Sequence, residues 1–167
     1  MVLIIRDKML THPFPPLYNK DSRILILGSF PSVKSREQMF FYGHPQNRFW
    51  KVISSVFECD VPQTIEEKKQ LLLKHGIALW DVIASCEITG SSDSSIKNVK
   101  VNDLSIILEE ADIRQIFVNG RTAEKYFKKY TKAQIKRDAI CLPSTSPANA
   151  AWSVNRLVEE WKVLKSI

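Results

Sequence analysis

Four short apolar runs constrain this chain more than any other feature. They are residues 23–27 (RILIL), 77–83 (IALWDVI), 114–118 (RQIFV) and 139–142 (AICL). Each is too short to be a buried helix and is rich in β-branched or aromatic residues. Each is nearly continuous in its apolar character rather than alternating, which is the pattern of strands covered on both faces. Between them lie stretches of helical spacing. Residues 47–57 carry Phe49, Trp50, Ile53, Val56 and Phe57. Thr64 followed by Glu67 forms a capping box that predicts a helix to about Lys74, ended by Gly76. Asn102 is expected to cap a helix bearing Leu104, Ile107 and Leu108, residues 122–130 read as a basic amphipathic helix, and residues 151–164 read as a closing one.

Alternating strands and helices predict an α/β fold with a mostly parallel, four-stranded central sheet and helices on both faces. Residues 1–22 are expected to be an irregular arm, because His12-Pro13-Phe14-Pro15-Pro16 favours extended backbone. Residues 84–100 read as a polar loop. With 167 residues, no repeats and no linker composition, one domain is expected over residues 1–167. Ligands of such sheets bind beyond the carboxyl ends of the strands. The loops opening at Gly28, Asn119 and Pro143 should therefore converge on one site.

Composition removes several function classes. An apolar fraction of 44% without low-complexity tracts excludes intrinsic disorder. No apolar run approaches the roughly 20 residues of a membrane-spanning helix, so no membrane partner is expected. Residues 1–5 are cut off by Arg6, Asp7 and Lys8 and do not read as a signal peptide, and a cytoplasmic protein is expected, nucleoid-associated if the source is prokaryotic. Cys59, Cys86 and Cys141 are scattered, which suggests reduced, mostly buried thiols. They and His12, His44 and His75 lack metal-ligand spacing, so neither a metal nor another cofactor is expected. The net charge is +6, of which +5 falls between Arg121 and Asp138. That stretch is either a solvated helix face or a phosphate-contacting patch.

Three segments carry candidate chemistry. Gly28-Ser29-Phe30-Pro31-Ser32 follows the first strand and reads as a rigid turn that permits close approach. Phe40-Phe41-Tyr42-Gly43-His44-Pro45-Gln46-Asn47-Arg48-Phe49-Trp50 places aromatics suited to base stacking beside amides able to orient a water or a base edge. Leu142-Pro143-Ser144-Thr145-Ser146-Pro147-Ala148-Asn149 offers small hydroxyls and backbone amides that can hold phosphates. Each alone has a structural reading: a turn, a plug at the core edge, a proline-stiffened helix start.

Together, G-S-F-P-S, F-Y-G-H-P-Q-N-R-F-W and S-T-S-P-A-N resemble the uracil-DNA glycosylase superfamily, and within it the hypoxanthine-DNA (deoxyinosine) glycosylase branch. The likeness runs from about Arg23 to Trp161, and the run from Gly43 to Trp50 also echoes the mismatch-specific uracil/thymine branch. The resemblance implies a three-layer α/β/α sandwich and a monofunctional glycosylase of base-excision repair. Such an enzyme flips a deaminated base, hypoxanthine or uracil, out of the stack and hydrolyses its N-glycosidic bond. The implied partner is double-stranded DNA, or single-stranded DNA, bound by a monomer. A mismatch-type uracil glycosylase and a non-catalytic DNA-binding module on the same fold are the alternatives.

The resemblance also implies residue roles. The loop of Gly28, Ser29, Pro31 and Ser32 would position the attacking water. Many relatives carry Asp or Asn there, whereas Ser29 and Phe30 stand at those positions here. Asn47 would take over as the water-orienting amide, or else cap the following helix. Phe30, Phe41 and Tyr42 would form a stacking wall, and Asn119 would read the base edge or close a turn. Ser144, Thr145, Ser146, Pro147, Ala148 and Asn149 would pinch the DNA backbone. His44, Lys125, Lys128 and Lys129 are further candidate DNA contacts.

Overall fold

The structure, a computed structural model, describes residues 9–167. A short strand, β1 (Met9–Thr11), opens the described residues. The four strands predicted from the apolar runs follow: β2 (Ile24–Gly28), β3 (Ile77–Asp81), β6 (Gln115–Asn119) and β7 (Ile140–Leu142). These four form one sheet in the order β3-β2-β6-β7, with every pair parallel. All five residues of β2 and of β3 are buried, which accounts for the unbroken apolar runs in the sequence.

Helices accompany the strands: α1 (Val33–Gln38), α2 (Phe49–Val56), α3 (Ile65–Lys74), α4 (Ser105–Leu108), α5 (Arg121–Tyr126), α6 (Lys132–Ile135) and α7 (Val154–Trp161). Thr64 caps α3, its Oγ1 accepting from the Glu67 N–H at 3.1 Å, while the Glu67 carboxylate accepts from the N–H of Gln63, one residue before the cap, at 2.8 Å. Residues 127–131 continue α5 into α6 as a wide turn. Helix α2 packs on α7 around Phe49 and Trp161, both fully buried with their rings edge to face. Trp161 Nε1 donates to the Pro143 carbonyl at 3.0 Å, so the closing helix also holds the start of the loop after β7.

Several expectations change. The strand read as 77–83 ends at Asp81, and Ile83 begins another strand, β4 (Ile83–Glu87). The expected polar loop at 84–100 is mostly a hairpin of β4 with β5 (Lys97–Val101). Its polar sequence reflects a small antiparallel sheet, order β1-β4-β5, whose strand β5 is largely exposed. The arm, whose first eight residues lie outside the described ones, keeps an irregular path but is pinned at two points. Strand β1 pairs with β4, and Leu17 exchanges backbone hydrogen bonds with Leu79. Of the cysteines, Cys86 is buried, Cys141 half-buried and Cys59 exposed.

Asn102 has a different role from the predicted helix cap. Its side chain is buried, and Nδ2 donates to the carbonyls of Asp81 (2.8 Å) and Ile83 (3.3 Å). It thus satisfies the backbone where the chain leaves the parallel sheet for the antiparallel one. Asp103 accepts from the Ser105 N–H instead. Removing the amide strands two carbonyls in a buried site. Asn102→Ala is therefore expected to cost about 1–3 kcal/mol, read as a lower urea midpoint with an unchanged m-value. An unchanged midpoint would contradict this role.

Candidate active site

The last residues of the four parallel strands fall in one row. Gly28 pairs with Asp81, Asn119 pairs with Leu142, and the β2–β6 register, Leu27 beside Val118, brings Asn119 next to Gly28. Gly28 stands between Asp81 and Asn119, and its missing side chain opens the floor between these two polar neighbours. A Cβ there would stand 2.4 Å from Asp81 Oδ1 and 3.2 Å from the Tyr42 hydroxyl. Above this row lies a cavity of about 280 Å³, lined by the loops after β2, β6 and β7 and by side chains from residues 41–47. That is near the lower end of small-molecule sites and suits one planar base.

The expected convergence is therefore present, and a hydrogen-bonded bracket holds it. Thr145 is fully buried. Its N–H donates to Asn119 Oδ1 at 3.1 Å, and its hydroxyl accepts from Asn119 Nδ2 at 3.0 Å and donates to Asn47 Oδ1 at 2.9 Å. Asn119 Nδ2 also donates to the Tyr42 hydroxyl at 3.2 Å. Asn47 Oδ1 accepts a second bond from the Phe49 N–H at 2.9 Å. Both amide orientations follow from these backbone donors. Both N–H groups of Asn119 are thus engaged within the protein. At Asn47 the oxygen is doubly engaged, and Nδ2 has no partner among the described residues. Asn47 accordingly braces the start of α2 from the position before its N-cap, Arg48, rather than as the cap itself, and keeps a free donor.

Tyr42 has φ 53°, in the left-handed region that side chains other than glycine rarely adopt. Its ring stacks on Phe49 (centroids 4.0 Å apart, 16° between planes) while Asn119 binds its hydroxyl, and the two contacts hold that conformation. Burial, then the charge of Asp81, push its phenol well above the usual tyrosine range, against the hydrogen bond from Asn119. It therefore serves as a neutral hydroxyl.

Arg48 fixes the loop after β7. Its guanidinium donates to the carbonyls of Ser146 (2.8 Å), Asn149 (3.0 Å), Thr145 (3.4 Å) and Trp152, and its backbone N–H donates to Thr145 as well. One cation from the start of α2 thereby gathers four carbonyls that would otherwise point apart. Asn149 Nδ2 tightens the loop by donating to the Ser144 carbonyl at 3.0 Å.

Gly28, Ser29, Phe30, Pro31, Ser32, Phe41, Tyr42, His44, Asn47, Asn119 and residues 144–148 all line the cavity. Phe30 and Phe41 are buried and expose only a small part of their surface. Ser32 caps α1, accepting from the Ser35 N–H, and His44 Nδ1 accepts from the Gln46 N–H. Asn149 lies in the adjoining recess with Arg121, Thr122 and Trp152. Lys125, Lys128 and Lys129 do not line the cavity. They lie on the helix leading away from it: Lys128 pairs with Glu124, and Lys125 and Lys129 sit over tyrosine rings.

Sequence reasoning missed His12, Asp81, Asp93 and the role of Arg48. Asp81 and Asp93 line the cavity, whose lining contains neither Lys nor Arg, so its interior is acidic within a basic chain. Asp93 accepts from the Ser29 hydroxyl at 3.4 Å. Asp81 Oδ2 accepts from His12 Nε2 at 2.7 Å, with the side chains of His12 and Asp81 only 4% and 6% exposed. The available signal was a lone carboxylate inside the apolar run 77–83. His12 gave none, since its arm joins the sheet through backbone pairing that leaves no mark on the sequence.

The sequence model of the Uracil DNA glycosylase superfamily matches residues 15–167. The chain is 35% identical, over 158 residues, to the Hypoxanthine DNA glycosylase of Methanosarcina acetivorans, spanning 93% of this chain and 98% of that protein. It is 34% identical over 116 residues to the protein of the same name from Methanosarcina barkeri, spanning 68% and 73%. A solution NMR structure of a candidate uracil DNA glycosylase from Methanosarcina acetivorans superposes with a TM-score of 0.78 at 32% identity, over 95% of this chain and 99% of that one. Likeness in sequence over nearly the whole chain, and likeness in fold, place the three converging loops in one lineage: the chain belongs to the uracil DNA glycosylase superfamily.

Proposed function

We propose that the protein is a monofunctional DNA glycosylase that takes a deaminated base, hypoxanthine before uracil, into the cavity and hydrolyses its N-glycosidic bond with a water held by Asn47. The observation that carries this reading is the free Nδ2 of Asn47 at a base-sized, acidic cavity, on an amide whose oxygen is immobilised by Thr145 and Phe49. Two relatives sharing about a third of their residues with the chain are named for hypoxanthine.

The chemistry follows from this geometry. Flipping exposes a C1′–N bond that the duplex hides, and a mispaired base costs less to extrude. Phe30, Phe41 and Tyr42 bound the base. The remaining lone pair of Asn119 Oδ1 is its contact to the base edge. As the bond breaks, positive charge grows on the sugar, and carboxylates in a cavity free of Lys and Arg stabilise it. The same acidity keeps phosphates at the rim, where Ser144 and Ser146, whose hydroxyl oxygens each accept a backbone N–H, keep their hydroxyl protons to donate, with Lys125, Lys128 and Lys129 contacting the flanking backbone.

On duplex and single-stranded oligonucleotides holding one deoxyinosine, deoxyuridine or deoxyxanthosine, the wild-type protein is expected to give alkali-labile sites, most rapidly at deoxyinosine in duplex. DNA binding without base release from any of them would contradict the enzymatic reading and favour a binding module. Asn47→Ala is expected to lower single-turnover cleavage about 100-fold or more with little loss of DNA affinity. It should also cost about 1 kcal/mol of stability through the lost brace at α2. Cleavage at wild-type rates would remove Asn47 from the mechanism.

The basic helix is tested by salt. Replacing Lys125, Lys128 and Lys129 with Ala should flatten the plot of log affinity against log salt by about 0.9 for each phosphate no longer neutralised. An unchanged slope would return these lysines to the role of a solvated helix face.

A further inference from the structure

We infer that Asp81, held by His12, is the general base of the reaction, an assignment that rests on the glycosylase reading above. Asn47 cannot fill that role. Its carboxamide oxygen accepts from both the Phe49 N–H and the Thr145 hydroxyl, so both lone pairs are spent. Only its N–H groups remain, and a donor can hold a water but cannot take its proton. The loop after β2, with Ser29 and Phe30, supplies no carboxylate. The neighbouring strand does. Asp81 ends β3 in the same row as Gly28, is buried, and lines the cavity.

The two carboxylate oxygens are differentiated. Oδ2 accepts from His12 Nε2 at 2.7 Å. Oδ1 has no hydrogen bond within the described residues and lies against Gly28, where any side chain would collide with it at 2.4 Å. The glycine therefore keeps open the space in front of this oxygen. His12 is a positioning residue. Its ring is enclosed by Phe14, Phe30 and Phe41, and its Nδ1 is buried without a partner. Such an unpaired group is costly to bury, and Asp81 is the ring's one polar partner among the described residues. The N-terminal arm delivers this histidine through the pairing of β1 with β4.

Asp93 is the other carboxylate of the cavity, but it is exposed and accepts from the Ser29 hydroxyl. In the step assigned to Asp81, the C1′–N bond breaks with its electron pair on the departing base. The water oxygen, held by Asn47 Nδ2, forms the new bond to C1′. One water proton passes to Asp81 Oδ1 and then to the departed base, which leaves as the neutral species and restores the carboxylate.

The test is single-turnover cleavage of a deoxyinosine duplex by the wild type, Asp81→Asn and Asp81→Ala, with affinity for an uncleavable 2′-fluoro-deoxyinosine duplex measured in parallel. Both variants are expected to bind within about threefold of the wild type and to cleave about 100-fold or more slowly, the usual yield of general-base catalysis. Formate should restore at least part of the rate to Asp81→Ala, and should not do so for Asn47→Ala. His12→Gln, which keeps a donor for Oδ2, should retain more activity than His12→Leu. Wild-type base release with Asp81→Asn cleaving at a comparable rate would overturn the assignment while leaving the glycosylase reading intact. So would a loss that tracks weakened DNA binding, or one that formate does not relieve. Absence of base release by the wild type would overturn the glycosylase reading and this assignment with it.

Discussion

The site depends on the hydrogen-bonded bracket around Thr145. Three loops leave the carboxyl ends of three strands, and nothing in a parallel sheet alone makes them meet. Thr145 engages Asn119 through both its N–H and its hydroxyl, and reaches Asn47 with the remaining hydroxyl proton. Every polar atom that Thr145 and Asn119 bring to the bracket has a partner of the right polarity, so burying them costs little while fixing three segments to one another. Arg48, one residue beyond Asn47, extends the constraint by collecting the carbonyls of the loop that carries Thr145. The two residues make the start of α2 and the loop after β7 a single rigid body.

This rigidity bears on the division of labour in the cavity. An amide whose oxygen is fixed twice over is a donor of well-defined direction, as positioning a small nucleophile requires. It cannot also be the acceptor. The strand-end row places the complementary group, Asp81, on the far side of Gly28 from Asn119. A glycine between two polar side chains is the simplest way for a sheet edge to offer both an open floor and two functional groups. The positive charge of the chain lies outside, chiefly along residues 121–138, so the basic surface and the acidic cavity are separated in space.

The parallel sheet was legible because its strands are buried on both faces and the code for that is dense. Ile24, Leu25, Ile26 and Leu27 are all fully buried and all apolar. The converging loops were legible because Gly28, Asn119 and Pro143 interrupt apolar runs at strand ends. The antiparallel sheet was not. Its strands β4 and β5 are partly exposed, broken by bulges and polar in composition, so local pattern reads them as loop. Asp81 was hidden by a misplaced boundary: taken as the interior of a seven-residue strand, it had no reason to face a cavity. Asn102, which marks that boundary by bonding the carbonyls on either side, acts through tertiary contacts that helix-capping rules do not contain. His12 lies 69 residues from its partner, a separation no local rule spans.

The central claim is hydrolysis of an N-glycosidic bond by a water held within this cavity. It is tested most directly by following one duplex with a single deoxyinosine in water enriched in oxygen-18, by mass spectrometry of both products. The expected result is free, unlabelled hypoxanthine together with an intact strand whose abasic sugar carries one oxygen-18 at C1′, measured promptly before exchange with solvent. Absence of base release, or strand scission in place of an intact labelled abasic site, would contradict the account.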